Sequence, residues 1–206
     1  VCRGAILERR GHDAIVGARL VAPPDPGCAA GAIYFNPAGP LGMCGHATIG
    51  LAVTLAHMGR IGPGRHRIET PVGIVAVELH DACTVSVTNV ESRRHRAGVR
   101  LEVPGLGVVR GDVAWGGNWF FLTPDAPCPL DHAHVAELTV AGERVRAALV
   151  AAGITGAEGA EIDHVEFYGP APGDASARNF VLCPGGAWDR SPCGTGSSAN
   201  LAVLHA

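Results

Sequence analysis

The sequence predicts an α/β (α+β) protein of two similar lobes, each a mixed sheet built around one central helix. Short segments rich in Val, Ile or aromatic residues and bounded by Gly, Pro, Asn and Asp recur along the chain, as strands do. Helical spacing is confined to a few stretches between them. Two Gly-rich turns, Met43-Cys44-Gly45-His46-Ala47-Thr48 and Pro192-Cys193-Gly194-Thr195-Gly196-Ser197, echo each other. Aligned on the sulfurs, both continue as Cys-Gly, a polar residue, a small residue, a hydroxyl residue and an apolar run with Leu-Ala-Val at 51–53 and 201–203.

In chain order, a strand is expected at 31–35 (Gly-Ala-Ile-Tyr-Phe), followed by a helix over 46–58 that starts just after Cys44. Gly62-Pro63-Gly64 reads as a turn, and 73–79 and 83–89 as strands. Strands at 99–103 and 108–113 flank the turn signal Pro104-Gly105, which lies near the expected end of the first half. The lobe boundary is placed near 113, giving 1–113 with Cys44 and 114–206 with Cys193. A strand at 118–122 opens the second lobe. Leu138, Ala141, Val145, Leu149 and Ala152 recur at helical spacing, which predicts a helix over 139–152 closed by Gly153. Strands at 162–167 and 178–182 and a helix over 194–205 complete the list. Two such lobes facing each other make a cleft between them.

Composition narrows the function classes. Of 206 residues, 47% are hydrophobic and 17% charged, as in a compact globular protein. Sixteen basic and nineteen acidic residues give a formal charge of -3, with no long run of either sign to track nucleic acid or an anionic membrane. No apolar stretch is long enough to span a bilayer and no signal-peptide pattern opens the chain, so a cytoplasmic protein is expected. The chain starts at Val1 without an initiator Met and ends in a helical run, which reads as a piece of a longer protein. The seven cysteines (2, 28, 44, 83, 128, 183 and 193) include no C-x-x-C pair and read as thiols rather than a zinc site or disulfide framework.

The two Cys-Gly turns carry the chemistry. A helix N-terminus offers unpaired N–H groups and about half a positive charge, favouring an anion there by ~0.3–1 kcal/mol. A cysteine so placed is expected to have its pKa drawn down from ~8.5 toward neutrality, while the N–H groups behind it hold a substrate carboxylate. With both turns on one cleft, one thiolate removes the proton α to that carboxylate and the opposite thiol delivers a proton to the other face. Preorganised N–H donors stabilise the charge that develops on the carboxylate. Such a device needs no metal, flavin or pyridoxal phosphate, and no motif for a cofactor is present.

Met43-Cys44-Gly45-His46-Ala47-Thr48-Ile49-Gly50 and Asp189-Arg190-Ser191-Pro192-Cys193-Gly194-Thr195-Gly196 together resemble the paired signature of the proline racemase family. Arg67-Ile68-Glu69-Thr70-Pro71-Val72-Gly73, Trp115-Gly116-Gly117-Asn118-Trp119-Phe120-Phe121 and Asp163-His164-Val165-Glu166-Phe167 look most like its branch of 4-hydroxyproline 2-epimerases. The resemblance covers nearly the whole chain. It implies the fold of diaminopimelate epimerase, with two pseudo-symmetric lobes, and cofactor-independent interconversion of trans-4-hydroxy-L-proline and cis-4-hydroxy-D-proline. It further implies Cys44 and Cys193 as the acid/base pair, and Gly45, His46, Gly194 and Thr195 as carboxylate and substrate contacts. Asp189 and His164 match positions near the substrate's ring nitrogen. A small amino-acid substrate and no metal are expected, with a homodimer left open. Family members normally have a His-Thr-Gly-Gly-Glu segment upstream and further strands downstream, both absent here. Ala47 stands where many relatives have Gly and adds a methyl that a helical turn tolerates.

Plainer readings stand beside these. Cys2, Cys28, Cys83, Cys128 and Cys183 read as small buried hydrophobes. A structural disulfide between Cys44 and Cys193 is an alternative, as is a Cys44–His46 nucleophile or metal pair, though that pair lacks an orienting group and further ligands. His164 fits a core residue as well as a ligand contact. Asp189 could brace Arg190 or cap the turn, and Asn118 is taken as structural. Gly194-Thr195-Gly196-Ser197-Ser198-Ala199 fits G-x-G-x-x-G/A but lacks the strand before and the acidic residue after it. Rival functions are proline racemisation, dehydration of trans-3-hydroxyproline, against which the resemblance sets Cys193 in place of Thr, and an inactive truncated homologue.

Overall fold

The structure, a computed structural model, describes residues 4, 6, 7, 11, 12 and 14–206; Cys2 lies outside them. The chain divides into two compact units that part between Glu91 and Ser92.

The first unit holds β1 (Gly17–Val21), β2 (Ala30–Phe35), β3 (Pro40–Leu41), α1 (Gly45–His57), β4 (Gly64–Thr70), β5 (Gly73–Leu79) and β6 (Val85–Thr88). They form a six-stranded sheet in the order β1-β2-β4-β5-β6, with β3 paired to β2. β2 and β4 run parallel. A parallel pair needs a long crossover, and the segment containing α1 supplies it. Val75, Val77 and Leu79 alternate inward along β5, while Leu51, Ala52 and Leu55 of α1 join Tyr34, Met43 and Ile68 in one core. The helix ends at Gly59, whose φ of 69° lets its N–H reach the Ala56 carbonyl while the Arg60 N–H reaches that of Leu55.

The second unit holds β7 (Arg93–Val103), β8 (Gly107–Trp115), β9 (Trp119–Thr123), α2 (Val135–Ala151), β10 (His164–Gly169), β11 (Arg178–Leu182) and α3 (Gly194–His205). The sheet order is β11-β10-β9-β8-β7, antiparallel except for β9 with β10. The segment containing α2 makes that crossover. One sheet face packs Phe121, Val165, Phe167 and Leu182 against Leu138, Val145 and Leu149 of α2. The other gathers Phe120, Leu122 and Val181 with Cys193 and Ala199 at α3. Coverage on both faces explains why all five residues of β9 are buried and why Trp119 to Leu122 read as an unbroken apolar run.

The lobe boundary expected near 113 falls within β8. Pro104-Gly105 belongs to the turn joining β7 and β8, where Gly105 and Gly107 take φ of 78° and 77°. The second unit carries both helices expected in it, α2 on one sheet face and α3 on the other. α2 begins before the expected residue 139, because Asp131 caps the short turn leading into it by accepting the Ala133 N–H at 3.0 Å. Among the described residues no helix is long and apolar enough to cross a membrane.

Candidate active site

Each cysteine turn is built by the unit that holds it. Cys44 is the N-cap of α1 in extended backbone, half-buried against the first unit's core. Its carbonyl accepts the Thr48 N–H at 3.0 Å and the Thr48 hydroxyl at 2.8 Å. With that proton committed, the fully buried Tyr34 hydroxyl donates to Thr48 Oγ1 at 2.7 Å. A buried chain thus runs from β2 through the helix to the cysteine carbonyl. Gly45 opens the helix beside it, and His46 stands exposed on the first turn.

Cys193 is the N-cap of α3 and only 5% exposed. Its sulfur accepts the Gly196 N–H at 3.4 Å and lies 3.6 Å from Thr195 Oγ1. Asn118, in the β8–β9 turn, donates to that Thr195 hydroxyl at 3.2 Å, so its structural role includes holding the cysteine turn. Asp189 arrives by a reversal of the chain after β11: the Asp189 N–H donates to the Val181 carbonyl, and Gly185 and Gly186 take φ of 87° and 83°. Its carboxylate pushes the Cys193 thiol pKa up, while Arg190 lies 5.7 Å from the centre of the Trp188 ring. Among the described residues no ion pair joins Asp189 to Arg190, and the Asp189 charge acts on the cysteine.

The expected lowering of the thiol pKa does not hold at Cys193. Burial pushes it well above the ordinary thiol value, and the Asp189 carboxylate adds to the rise, outweighing Thr195 and the Gly196 N–H. Replacing Asp189→Asn should lower that pKa, because the amide carries no charge to oppose a thiolate. The expected result is faster alkylation of Cys193 than in the wild type at the same neutral pH, read peptide by peptide in a mass spectrometer.

His164 is buried on β10, its Nδ1 2.7 Å from Asp163 Oδ1 and its ring stacked on Phe120 at 4.6 Å. Phe120 also lies against Gly196, so His164 stands one ring away from the cysteine turn. The second unit thus brings Asp189, Cys193, Gly194 and Thr195 together, with His164 behind Phe120. The six described cysteines are thiols. Cys28 is buried and Cys128 and Cys183 are half-buried, but Cys83 is exposed, on the turn from β5 to β6 where Asp81 accepts its N–H. Among the described residues no group of three or more His, Cys, Asp or Glu is placed to hold a metal ion.

Two residues escaped the sequence reading: Glu166, fully buried on the α3 face of β10, and Gly116, whose backbone packs on the start of α3. A signal for Glu166 was present, an ionisable residue two positions from His164 within an apolar strand.

Comparison with known proteins follows the same residues. The family described as Proline racemase matches residues 1–206. A 4-hydroxyproline 2-epimerase of Roseibium aggregatum is 63% identical over 206 residues, covering 100% of this chain and 66% of that protein. One from Xanthomonas campestris pv. campestris is 64% identical, covering 99% and 66%. The chain therefore spans just under two thirds of the length of these relatives. Among solved structures, a hydroxyproline epimerase from Agrobacterium vitis with bound trans-4-hydroxy-L-proline is 25% identical with a TM-score of 0.90, over 98% of this chain and 63% of that one. A probable proline racemase from Agrobacterium radiobacter K84 with bound carbonate is 27% identical at the same TM-score, covering 98% and 64%. Two mixed sheets, each packed with helices, are the architecture shared with these structures. With cysteine turns, sheets and full-length match in agreement, the chain belongs to the proline racemase family.

Proposed function

We propose that this protein inverts the α-carbon of 4-hydroxyproline, interconverting trans-4-hydroxy-L-proline and cis-4-hydroxy-D-proline with its own thiols as the proton carriers. The observation that carries this reading is the matched placement of Cys44 and Cys193 as N-caps of α1 and α3. The names of the relatives at 63% and 64% identity support the choice of substrate.

Inversion requires one sulfur on each face of the α-carbon. The base takes the α-proton, leaving the electron pair of the broken C–H bond delocalised onto the carboxylate. The acid then delivers its own proton to the opposite face, and the electron pair closes a new C–H bond. Cys193, whose proton is held by burial and by Asp189, is the donor in one direction, with Cys44 as the base. In the reverse direction the roles exchange. The N–H groups of Gly45 and His46 at one helix start, and of Gly194 and Thr195 at the other, are the donors available to the carboxylate. Asp189 supplies a charge for the ring ammonium, and once it pairs with that cation it opposes the Cys193 thiolate less.

The test is exchange with solvent. Reduced protein incubated in D2O with trans-4-hydroxy-L-proline should place deuterium at the α-carbon of the product, read by NMR. Absence of exchange from both isomers overturns the reading. Parallel rates on proline separate epimerisation of the hydroxylated ring from plain racemisation.

A further inference from the structure

Behind the Cys193 turn lies a carboxyl group that the proton-transfer scheme does not use. Glu166 sits in the middle of β10 between Val165 and Phe167, which point to α2, while its own side chain points to α3. It is 0% exposed. Oε1 accepts the side-chain amides of Asn179 on β11 at 3.0 Å and of Asn200 on α3 at 3.2 Å. Oε2 is buried and has no hydrogen-bond partner. A buried polar atom left unmatched costs about 1–3 kcal/mol, and more when charged. Such a position calls for a reason beyond packing.

The position of Oε2 supplies one. It lies 2.6 Å from where a Cβ on Gly196 would stand, and the Cβ of Cys193 lies 3.3 Å from that same point. The bare Cα of Gly196 thus leaves room for a buried carboxyl against the turn that carries Cys193. The Gly196 N–H is also the donor to the Cys193 sulfur, and Asn200 ties Glu166 to the next turn of the same helix.

We propose that Glu166 is a positioning residue for Cys193: through Asn200 and the bare turn at Gly196 it fixes the N–H that meets the sulfur, and as a carboxylate it joins Asp189 in keeping the proton on that sulfur. When Glu166 is ionised, two carboxylates lie around this turn, Asp189 from the loop before α3 and Glu166 from β10. The other titratable groups around this pair are His164 with Asp163 at the start of β10, Tyr168 toward its end and Asp112 on β8. Burial pushes the Glu166 carboxyl above the usual range, while Asn179, Asn200 and His164 pull it back. A like charge within roughly 4–6 Å disfavours ionisation of its neighbour. The assignment rests on the two-cysteine reading only in giving Cys193 a proton to deliver.

The experiment follows alkylation of Cys193 by iodoacetamide from about pH 7 to about pH 10, resolved by peptide mass spectrometry in the full chain. Glu166→Gln keeps an oxygen for Asn179 and Asn200 and removes the charge. Its profile should move down by about one pH unit, so that labelling near pH 8 is about tenfold faster than in the wild type. Glu166→Asp withdraws the charge by one methylene and should move the profile part of the way, which decides the matter should the glutamine variant not fold. Coincident profiles in a folded variant overturn the assignment. Because labelling needs no turnover, a shifted profile without α-exchange keeps this role for Glu166 and removes the epimerase reading. Exchange with unshifted profiles does the reverse.

Discussion

Cys44→Ser and Cys193→Ser should each abolish net epimerisation, with a loss of at least about a hundredfold to ten-thousandfold, the range that a positioned acid or base contributes. A hydroxyl is too weak an acid to take the place of a thiol that must both accept and donate a proton. Loss of inversion does not mean loss of all chemistry. On the two-thiol proposal, with Cys193 replaced Cys44 would still meet one face of the α-carbon, removing a proton and returning a deuteron to that same face. Each variant should therefore exchange the α-hydrogen of one isomer without inverting it, and the two variants should favour opposite isomers. Chiral chromatography and NMR of the recovered amino acid in D2O read both quantities. Near-wild-type net turnover in either variant sinks the two-thiol assignment.

Most strands and α2 were legible because their burial leaves a pattern, while α1 and α3 were placed by the cysteine turns that open them. Val75, Val77 and Leu79 alternate, β9 is apolar from Trp119 to Leu122, and α2 repeats at helical spacing. The strands that escaped lack such a pattern. β4 is Gly-Arg-His-Arg-Ile-Glu-Thr with only Ile68 and Thr70 buried, and it owes its form to full-length pairing with β5. β1 and the first half of β7, Arg93 to Gly98, are polar or exposed in the same way, and β7 there is irregular in register. The cysteine turns were legible as motifs, since Gly and hydroxyl residues at a helix start are local features. The groups that surround Cys193 were not. Its raised pKa comes from burial under a sheet and from a carboxylate brought in by a chain reversal, and neither is encoded within the turn itself.

Gly116→Ala is expected to be the most damaging single methyl in the second unit. Gly116 stands in the turn between β8 and β9, where its N–H donates to the Asn118 carbonyl at 3.1 Å. A Cβ there would lie 2.2 Å from the Thr195 carbonyl oxygen and 2.8 Å from the Ala199 nitrogen. Both are backbone atoms of α3, so no flexible side chain can swing aside. Either the turn or the helix must move, at a cost of about 1–3 kcal/mol or more. A chain of this size then unfolds roughly 2–4 °C lower per kcal/mol. Movement of α3 also carries Thr195 away from Asn118, and with it the turn that presents Cys193. Turnover should fall with stability, by about tenfold or more, since a misplacement of about 1 Å can cost a hundredfold. Gly50→Ala is the control: on α1, no atom lies within 4 Å of the point where its methyl would stand, and Ala in a helix is favoured over Gly by ~0.5–1 kcal/mol. The control should melt at or above the wild-type temperature with full activity. If Gly116→Ala behaves like it in calorimetry and turnover, close backbone packing at Gly116 does not hold the start of α3 in place.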